Sequence, residues 1–511
     1  MRKEDGVSTV IILILLLFQC CIVRAAENNT QNIASIIRVW GFLNYQNSYV
    51  LTSSIHWDEE LIRALSIYDE SKDEKKSISS LFEKLPEQAV NDNLNVDWRI
   101  YSRSAWIEKD SLLDVTTKAR LKAMLIAKKP FPNRYLEKSY ADVIKFNYPH
   151  DINWDQKNKN HRLLSLAQYW TKMNFFNPYQ ELLPSWDQTL IDLIPIFINA
   201  DSEEDFYVAL LQMNARIEDS HSEFNVFPLT MQEKIFGKYF LDGVKLSHRG
   251  DTVYVKAKHP EANQELQVGD ILLEIDGYSV ITLLDSIKKI GSFSYHNVSR
   301  MMRVFVRSKT TSQLWKIRRA IETLNVVVNY MEFDKVLKIE PEALEEVYPD
   351  SLMYIIPEGL SPKELKDALK VARKKDGVVL DMRCYPKEHM FTLSSFFSAR
   401  YRHFSTLKVV DPRRPGSFKY KKVRTSFIGK RYKKPVTVIV SDRTQSASEY
   451  TVMAIQTNSK VKVVGTRTAG ANGNVVSIWL PGGFTCVYSS IGVYYPDGRP
   501  NQREGVRIVG Q

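Results

Sequence analysis

Two short stretches of the chain carry residue types that together could cleave an acyl bond. Ser441-Asp442-Arg443-Thr444-Gln445-Ser446-Ala447-Ser448-Glu449 stands between an unbroken β-branched run and an apolar helical pattern. A serine at such a junction projects from a sheet edge, and the first free N–H groups of the helix face any oxyanion that develops beside it. Ser446-Ala447-Ser448-Glu449 reads equally as a capping box, Ser446 at the N-cap and Glu449 at N3. A serine nucleophile needs a base, and eight of the nine histidines (His56, His150, His161, His248, His259, His296, His389 and His403) stand among charged or turn residues. His221 differs, closing Asp219-Ser220-His221 behind a helical stretch rich in Leu210, Leu211 and Met213. The same histidine, if protonated, would complement the C-terminal dipole of that helix by about 0.3–1 kcal/mol.

The elements that must hold these residues follow from periodicity. Gly377-Val378-Val379-Leu380-Asp381-Met382-Arg383, Pro435 to Val440 and Val461 to Gly465 are buried-strand patterns, with a helical Glu449 to Ile455 between the last two. Strand, helix, strand at this spacing is a βαβ unit, so the chain from about Val336 is expected to form an α/β domain with a largely parallel sheet. Chemistry gathers at the carboxyl ends of such strands, which points to Asp381–Glu388 and Ser441–Ser448.

The preceding regions have different patterns. Ile33 to about Glu83 reads as helical, and Trp40…Trp57-Asp58-Glu59-Glu60-Leu61 is echoed by Trp170…Trp186-Asp187-Gln188-Thr189-Leu190. Two helical hairpins of similar design account for this echo without any function. Leu85 to Asp155 is polar with little periodicity, as a connecting region would be. From Phe236 to Phe333 the pattern turns to strands. Gly269-Asp270 and Asp276-Gly277 bracket a short buried strand, and Ser279 to Ile290 follows as a helix. This arrangement resembles the core of a PDZ domain, a module that binds extended segments by strand addition; a plain structural β-module is the other reading.

Taken together, the residues from about Trp170 to the end resemble the tail-specific (C-terminal processing) serine proteases, in particular their tricorn-like branch. The resemblance rests on a helical segment ending in Asp-Ser-His, a PDZ-like insert, and an α/β domain with Ser-Ala-Ser-Glu, in that order. It implies Ser446 as nucleophile, His221 as base, Ser220 as orienting hydroxyl and the Ala447 N–H as an oxyanion donor. The family's other branch uses a lysine base, whose position falls here on Ala471; no lysine follows Lys462. Two departures stand out. The family's glycine-rich run after its Asp-Leu-Arg strand is replaced by Asp381-Met382-Arg383-Cys384-Tyr385-Pro386-Lys387-Glu388. The tricorn-like acid, expected shortly before a Gly-Val, falls on Gln502, with Glu504 two residues beyond. The resemblance thus implies a serine endopeptidase acting on polypeptides held by the PDZ-like module, with no metal or cofactor. A catalytically weak or inactive binding protein on the same scaffold is the alternative, and a surface scaffold using the PDZ-like module a third.

The 511 residues carry 70 Lys and Arg against 59 Asp and Glu, a net charge of +11. The basic runs Arg373-Lys374-Lys375, Lys419 to Arg424 and Lys430 to Lys434 have no interleaved aromatic recognition motif, so they read as solvated faces and not as a nucleic-acid surface. Arg2 and Lys3, the apolar Val10 to Phe18 and Val23-Arg24-Ala25 have the three-part layout of a secretory signal cut after Ala25. An uncleaved anchor, or lipid modification at Cys20 after a poor lipobox, would instead attach the chain to a membrane. Export to the periplasm, cell envelope or exterior is the expectation. Cys384 and Cys486, left in the mature chain, read as buried structural thiols, with one disulfide as the other option. The expected architecture is multidomain α/β. It comprises a signal peptide (1–25), an N-terminal helical region and connector (26–155), a helical segment ending near Asp-Ser-His (156–235), a PDZ-like β-rich module (236–333) and a C-terminal α/β protease core with a βαβ sheet (334–511).

Overall fold

The computed structural model describes residues 28–86, 94–147, 152–224, 228–262, 264–294, 302, 305–337, 349–426 and 431–509. The expected signal segment lies outside them.

The helical half is built twice from one pattern. In the first copy α1 (28–46) leads to α2 (Trp57–Ser71), and in the second α3 (Lys159–Phe176) leads to α4 (Trp186–Ile198). Acidic Asp58, Glu59 and Glu60 suit the first turn of α2, where the dipole is positive, and Lys72 in the left-handed conformation ends it. Trp40 Nε1 donates to the Trp57 carbonyl at 2.8 Å and Trp57 Nε1 returns the bond at 3.2 Å. Trp170 and Trp186 repeat this reciprocal pair at 2.9 and 3.1 Å. The indole N–H groups are thereby satisfied inside the core, where an unpaired donor would cost about 1–3 kcal/mol.

The copies also face each other as related surfaces. Alignment on the tryptophans matches Arg38 with Gln168 and Asp58 with Asp187. Across the contact, Gln168 Nε2 donates to Asp58 at 2.6 Å, and Arg38 Nε lies 3.8 Å from Asp187. Each copy therefore reaches the other's aspartate from the same position, the reciprocity of a two-fold interface. The matched pair Gly41 and Thr171 lies where α1 and α3 touch: a Cβ on Gly41 would sit 2.2 Å from Thr171 Oγ1. Gly41→Ala is thus expected to destabilise the chain by about 1–3 kcal/mol through overpacking, despite alanine's better helix propensity. Urea unfolding would measure this, and Gly41→Ala/Thr171→Ala should recover most of the loss.

The stretch between the copies is more than a connector. It contributes a helix (Val115–Ile126) and a two-stranded ribbon (Leu136–Lys138 with Ile144–Phe146). Leu121, Leu125, Leu136, Ile144 and Phe146 join the helical core. Apolar residues spread thinly over short elements escape a reading by periodicity, yet each finds a place against the large aromatic cluster, as when Phe146 meets Phe176 edge-on at 5.1 Å.

α5 (Glu203–Ala215) ends this half just before Asp219. A β-rich module follows, with a sheet path that runs Val244–Arg249, Thr252–Lys258, Ile271–Ile275, Ser312–Arg319, Glu322–Glu332, Tyr239–Leu241, Arg307–Ser308. Asp276 and Gly277 both take positive φ (47° and 83°) in the tight turn after Ile275, as a two-residue hairpin turn requires. α6 (Val280–Ile290) is capped by the Ser279 side chain, which accepts from the Thr282 N–H.

The C-terminal sheet is parallel throughout, in the order β1 (Leu352–Ile355), β2 (Gly377–Asp381), β3 (Val436–Val440), β4 (Val461–Gly465). All five residues of β2 are buried, as the apolar Val378-Val379-Leu380 demands of a strand covered on both faces, and Asp381 ends it. α7 (Ala447–Ile455) makes the crossover from β3 to β4. Beyond it a hairpin, β5 (Val475–Leu480) with β6 (Phe484–Ser489), leaves this sheet and packs into the helical core. That excursion carries Ser489 to the loop after α5.

Candidate active site

Ser446 has φ 58° and ψ −119°, at the turn between β3 and α7. This backbone region is unfavourable for a residue with a Cβ and costs of order 1–3 kcal/mol. Ser446 does not cap α7, because its side chain accepts no N–H from the first turn. The capping-box reading of the serine is therefore set aside, and its strained turn leaves the hydroxyl, which is half-buried, at the carboxyl end of the sheet. The next N–H, of Ala447, starts the helix. Neighbouring side chains lock the turn: Thr444 Oγ1 donates to the Met382 carbonyl at 2.8 Å and Ser448 Oγ to the Cys384 carbonyl at 2.5 Å. The glycine-free loop after β2 is thus tied directly to the Ser446 turn.

Glu449 is fully buried and anchors the facing loop. It accepts from Thr468 Oγ1 at 2.5 Å, Gly470 N–H at 3.0 Å and Ala471 N–H at 3.0 Å. The Ala471 carbonyl takes the Ser446 N–H at 2.8 Å. Gly505-Val506 closes over the same threonine: Val506 N–H donates to Thr468 Oγ1, and a Cβ on Gly505 would lie 2.3 Å from that oxygen. Burial pushes the Glu449 carboxyl up to about 8, restrained by its donors. A carboxyl whose pKa is higher in the folded than in the unfolded chain binds its proton more tightly when folded. Its contribution to stability is then full below the unfolded value near 4.5 and is lost as pH rises through 8. Stability is expected to fall by a few kcal/mol, roughly, between pH 5 and 8.5, seen as a drop in the urea midpoint that Glu449→Gln largely abolishes.

His221 follows the turn after α5. Its Nδ1 lies 2.8 Å from Ser489 Oγ, which donates to Asp219 Oδ1 at 3.1 Å. The buried Asp219 also accepts the N–H of His221 at 2.9 Å, the N–H of Ser489 at 2.7 Å and Nε2 of Gln502 at 2.9 Å. This network assigns the tautomer. Ser489 has one proton, and the carboxylate, which has none to give, takes it. The hydroxyl then accepts from His221 Nδ1–H, leaving Nε2 unprotonated in the neutral ring.

Of the remaining residues singled out in the sequence, Gln502 joins this network, and Ser220 and Glu504 make other contacts. Ser220 is buried, and its hydroxyl donates to the Ala469 carbonyl at 3.3 Å and accepts the Ser294 N–H at 3.0 Å. The hydroxyl at the imidazole is that of Ser489, because β6 delivers it there, while Ser220 turns the other way. Gln502 meets Asp219 and not the ring. Glu504 is exposed and pairs with Arg467 at 3.3 Å. Gln445 Nε2 donates to the Ser220 carbonyl at 3.4 Å, so the residues preceding Ser446 and His221 touch. Among the described residues, no hydrogen bond joins the Ser446 hydroxyl to the His221 ring. Cys384 and Cys486 are free and buried. Burial pushes their thiols up to about 11 and about 12, which removes them as nucleophiles near neutral pH.

Residues 351–508 match the family model described as Peptidase family S41. Among solved structures, mature CPAF complexed with lactacystin is 14% identical, with 68% of this chain and 93% of that chain covered at a TM-score of 0.51. The photosystem II D1 C-terminal processing protease is 16% identical over 68% of this chain and 92% of that chain, with a TM-score of 0.39. The tricorn protease is 14% identical over 68% of this chain and 34% of that chain, with a TM-score of 0.32. At 14% identity the likeness to CPAF is one of fold. No curated protein matches the sequence.

Proposed function

Since its residues 351–508 belong to peptidase family S41, we propose that this chain is a serine peptidase with Ser446 as nucleophile and His221 as general base. The observation that carries the reading is the strained backbone of Ser446 (φ 58°) at the strand-to-helix turn, in a chain where a buried carboxylate and a serine hold His221 through Nδ1. In the reaction Ser446 Oγ attacks the peptide carbonyl while His221 Nε2 takes its proton. The Ala447 N–H faces the oxyanion, and the imidazolium passes the proton to the leaving amine. Water, deprotonated by the same nitrogen, then releases the acyl group. Ser489 and Asp219 hold the ring in its tautomer and stabilise its charged form. Gln502 keeps Asp219 in place. Ser220 positions the His221 loop against Ala469.

Substrate would lie as an extended segment along the β-rich module, acting in the PDZ-like manner. The support is the terminal strand Val244–Arg249, which pairs on one side with Thr252–Lys258 and ends the sheet path. The N-terminal apolar segment supports action outside the cytoplasm, free or membrane-attached. Release of fluorescent peptides from labelled casein tests the reading: turnover that is lost in His221→Ala is expected, and turnover equal in wild type and His221→Ala would overturn it. A non-catalytic binding protein on the same scaffold is favoured by one observation, the absence of glycine from Asp381 to Glu388, the loop that Ser448 ties to the Ser446 turn. Folded wild type that binds casein without cleaving it would establish that reading instead.

A further inference from the structure

Behind the His221 loop, where α4, α5 and α6 converge, lies a cleft of about 700 Å³. One wall is apolar, formed by Leu183, Trp186 and Phe293. The other carries Arg216, Lys288, Lys289 and Arg503, with Glu218 as the single carboxylate among the lining residues. Arg503 is the telling member. Its Nη2 donates to the Ile217 carbonyl at 3.1 Å, and its buried Nε pairs with Glu218 Oε2 at 3.4 Å without a hydrogen bond. Glu218 and Arg503 are both held at positive φ, 46° and 65°, in side-chain-bearing residues. Each adjoins one partner of the Asp219–Gln502 bond that anchors the His221 relay.

We propose that this cleft is an exosite for an acidic peptide segment in which carboxylate side chains alternate with apolar ones. The apolar wall takes the hydrophobic side chains, and the cationic wall takes the carboxylates, one of which pairs with the Arg503 guanidinium in place of Glu218. A charge-assisted, partly buried pair of this kind is stronger and more directional than surface ion pairing. Glu218, already beside Arg503, acts as an internal competitor for the incoming carboxylate.

The test measures binding by fluorescence anisotropy on full-length Ser446→Ala, which keeps the cleft and removes turnover. Failure of the exosite is thereby distinguishable from failure of the peptidase reading. The probe is a fluorescein-labelled peptide of alternating glutamate and leucine with an amidated C-terminus, so that recognition of a chain end does not contribute. Its glutamine–leucine counterpart is expected to bind at least about 10-fold more weakly, and Arg216→Glu/Lys289→Glu to weaken the acidic peptide by a similar factor. Glu218→Gln, which removes the competitor, is expected to tighten binding about 3-fold. Lys374→Glu/Lys433→Glu, at the amino ends of β2 and β3, is expected to leave affinity within about 2-fold at fixed salt. Equal binding of the two peptides would overturn the proposal. So would equal weakening by both charge-reversal pairs, or no tightening in Glu218→Gln.

Discussion

Ser446→Ala is expected to lower kcat for peptide hydrolysis by about 10⁴–10⁶-fold, to the residual rate that binding and the Ala447 N–H can sustain. Alanine retains the Cβ and therefore the strained turn, so the effect should be confined to the hydroxyl. Ser446 N–H still donates to Ala471 and Ser448 still ties the loop after β2. The strain itself makes a complementary prediction of sign: Ser446→Gly, which tolerates φ 58°, should be as inactive as alanine but more stable by about 1 kcal/mol. Casein turnover and urea midpoints on the same preparations separate the two effects.

Asp219→Asn is expected to cost about 10³–10⁴-fold in kcat with a much smaller change in KM. The reason lies in proton bookkeeping. Asp219 accepts from His221 N–H, Ser489 N–H, Ser489 Oγ and Gln502 Nε2. An asparagine presents one acceptor oxygen and an amide donor, so at least one of those donors meets another donor. If the amide faces Ser489 Oγ, the hydroxyl must donate toward His221 Nδ1, which pushes the ring proton to Nε2 and removes the base. Ser489→Ala, which deletes the relay without inverting it, is expected to lose less, about 10–10²-fold. A merely structural role would not order the two variants this way. The comparison requires kcat and KM for both variants, with urea curves to show that each is folded.

The parts of this site differ in how openly the sequence displays them. Ser446 and His221 stand out because each closes a local pattern, a β-branched run before a helix and Asp-Ser-His after one. The inner parallel strands are legible for the same reason, from the apolar Val378-Val379-Leu380 and the β-branched Val436 to Val440, whereas Val461–Gly465, interrupted by Lys462, is not the buried strand its pattern suggests but an edge strand with only Val463 buried. Ser489 was missed. It ends a hairpin whose alternation announces a strand but not that the strand leaves the parallel sheet to join the helical core, 268 residues from His221. Asp219 was visible only as part of its triplet. Its importance comes from four donors, two of them supplied by the distant Ser489 and one by Gln502. Gln502 was placed by analogy with an acid and turns out to be the amide that serves one. The tryptophan echo announces two similar hairpins, but their reciprocal cross-contacts, Gln168 to Asp58 and Arg38 to Asp187, show only in the structure. The helix and ribbon between the copies were invisible to periodicity because their burial is set by the aromatic cluster they cover.

In the proposed mechanism Ser446 is activated by His221. Intact-mass analysis after treatment with a fluorophosphonate at pH 8, with the adduct mapped by peptide sequencing, tests it most directly. One adduct on Ser446 in wild type, absent from Ser446→Ala and formed at least about 10²-fold more slowly in His221→Ala, is the predicted result. Folded wild type that takes no adduct, or that is labelled at the same rate without His221, would contradict it.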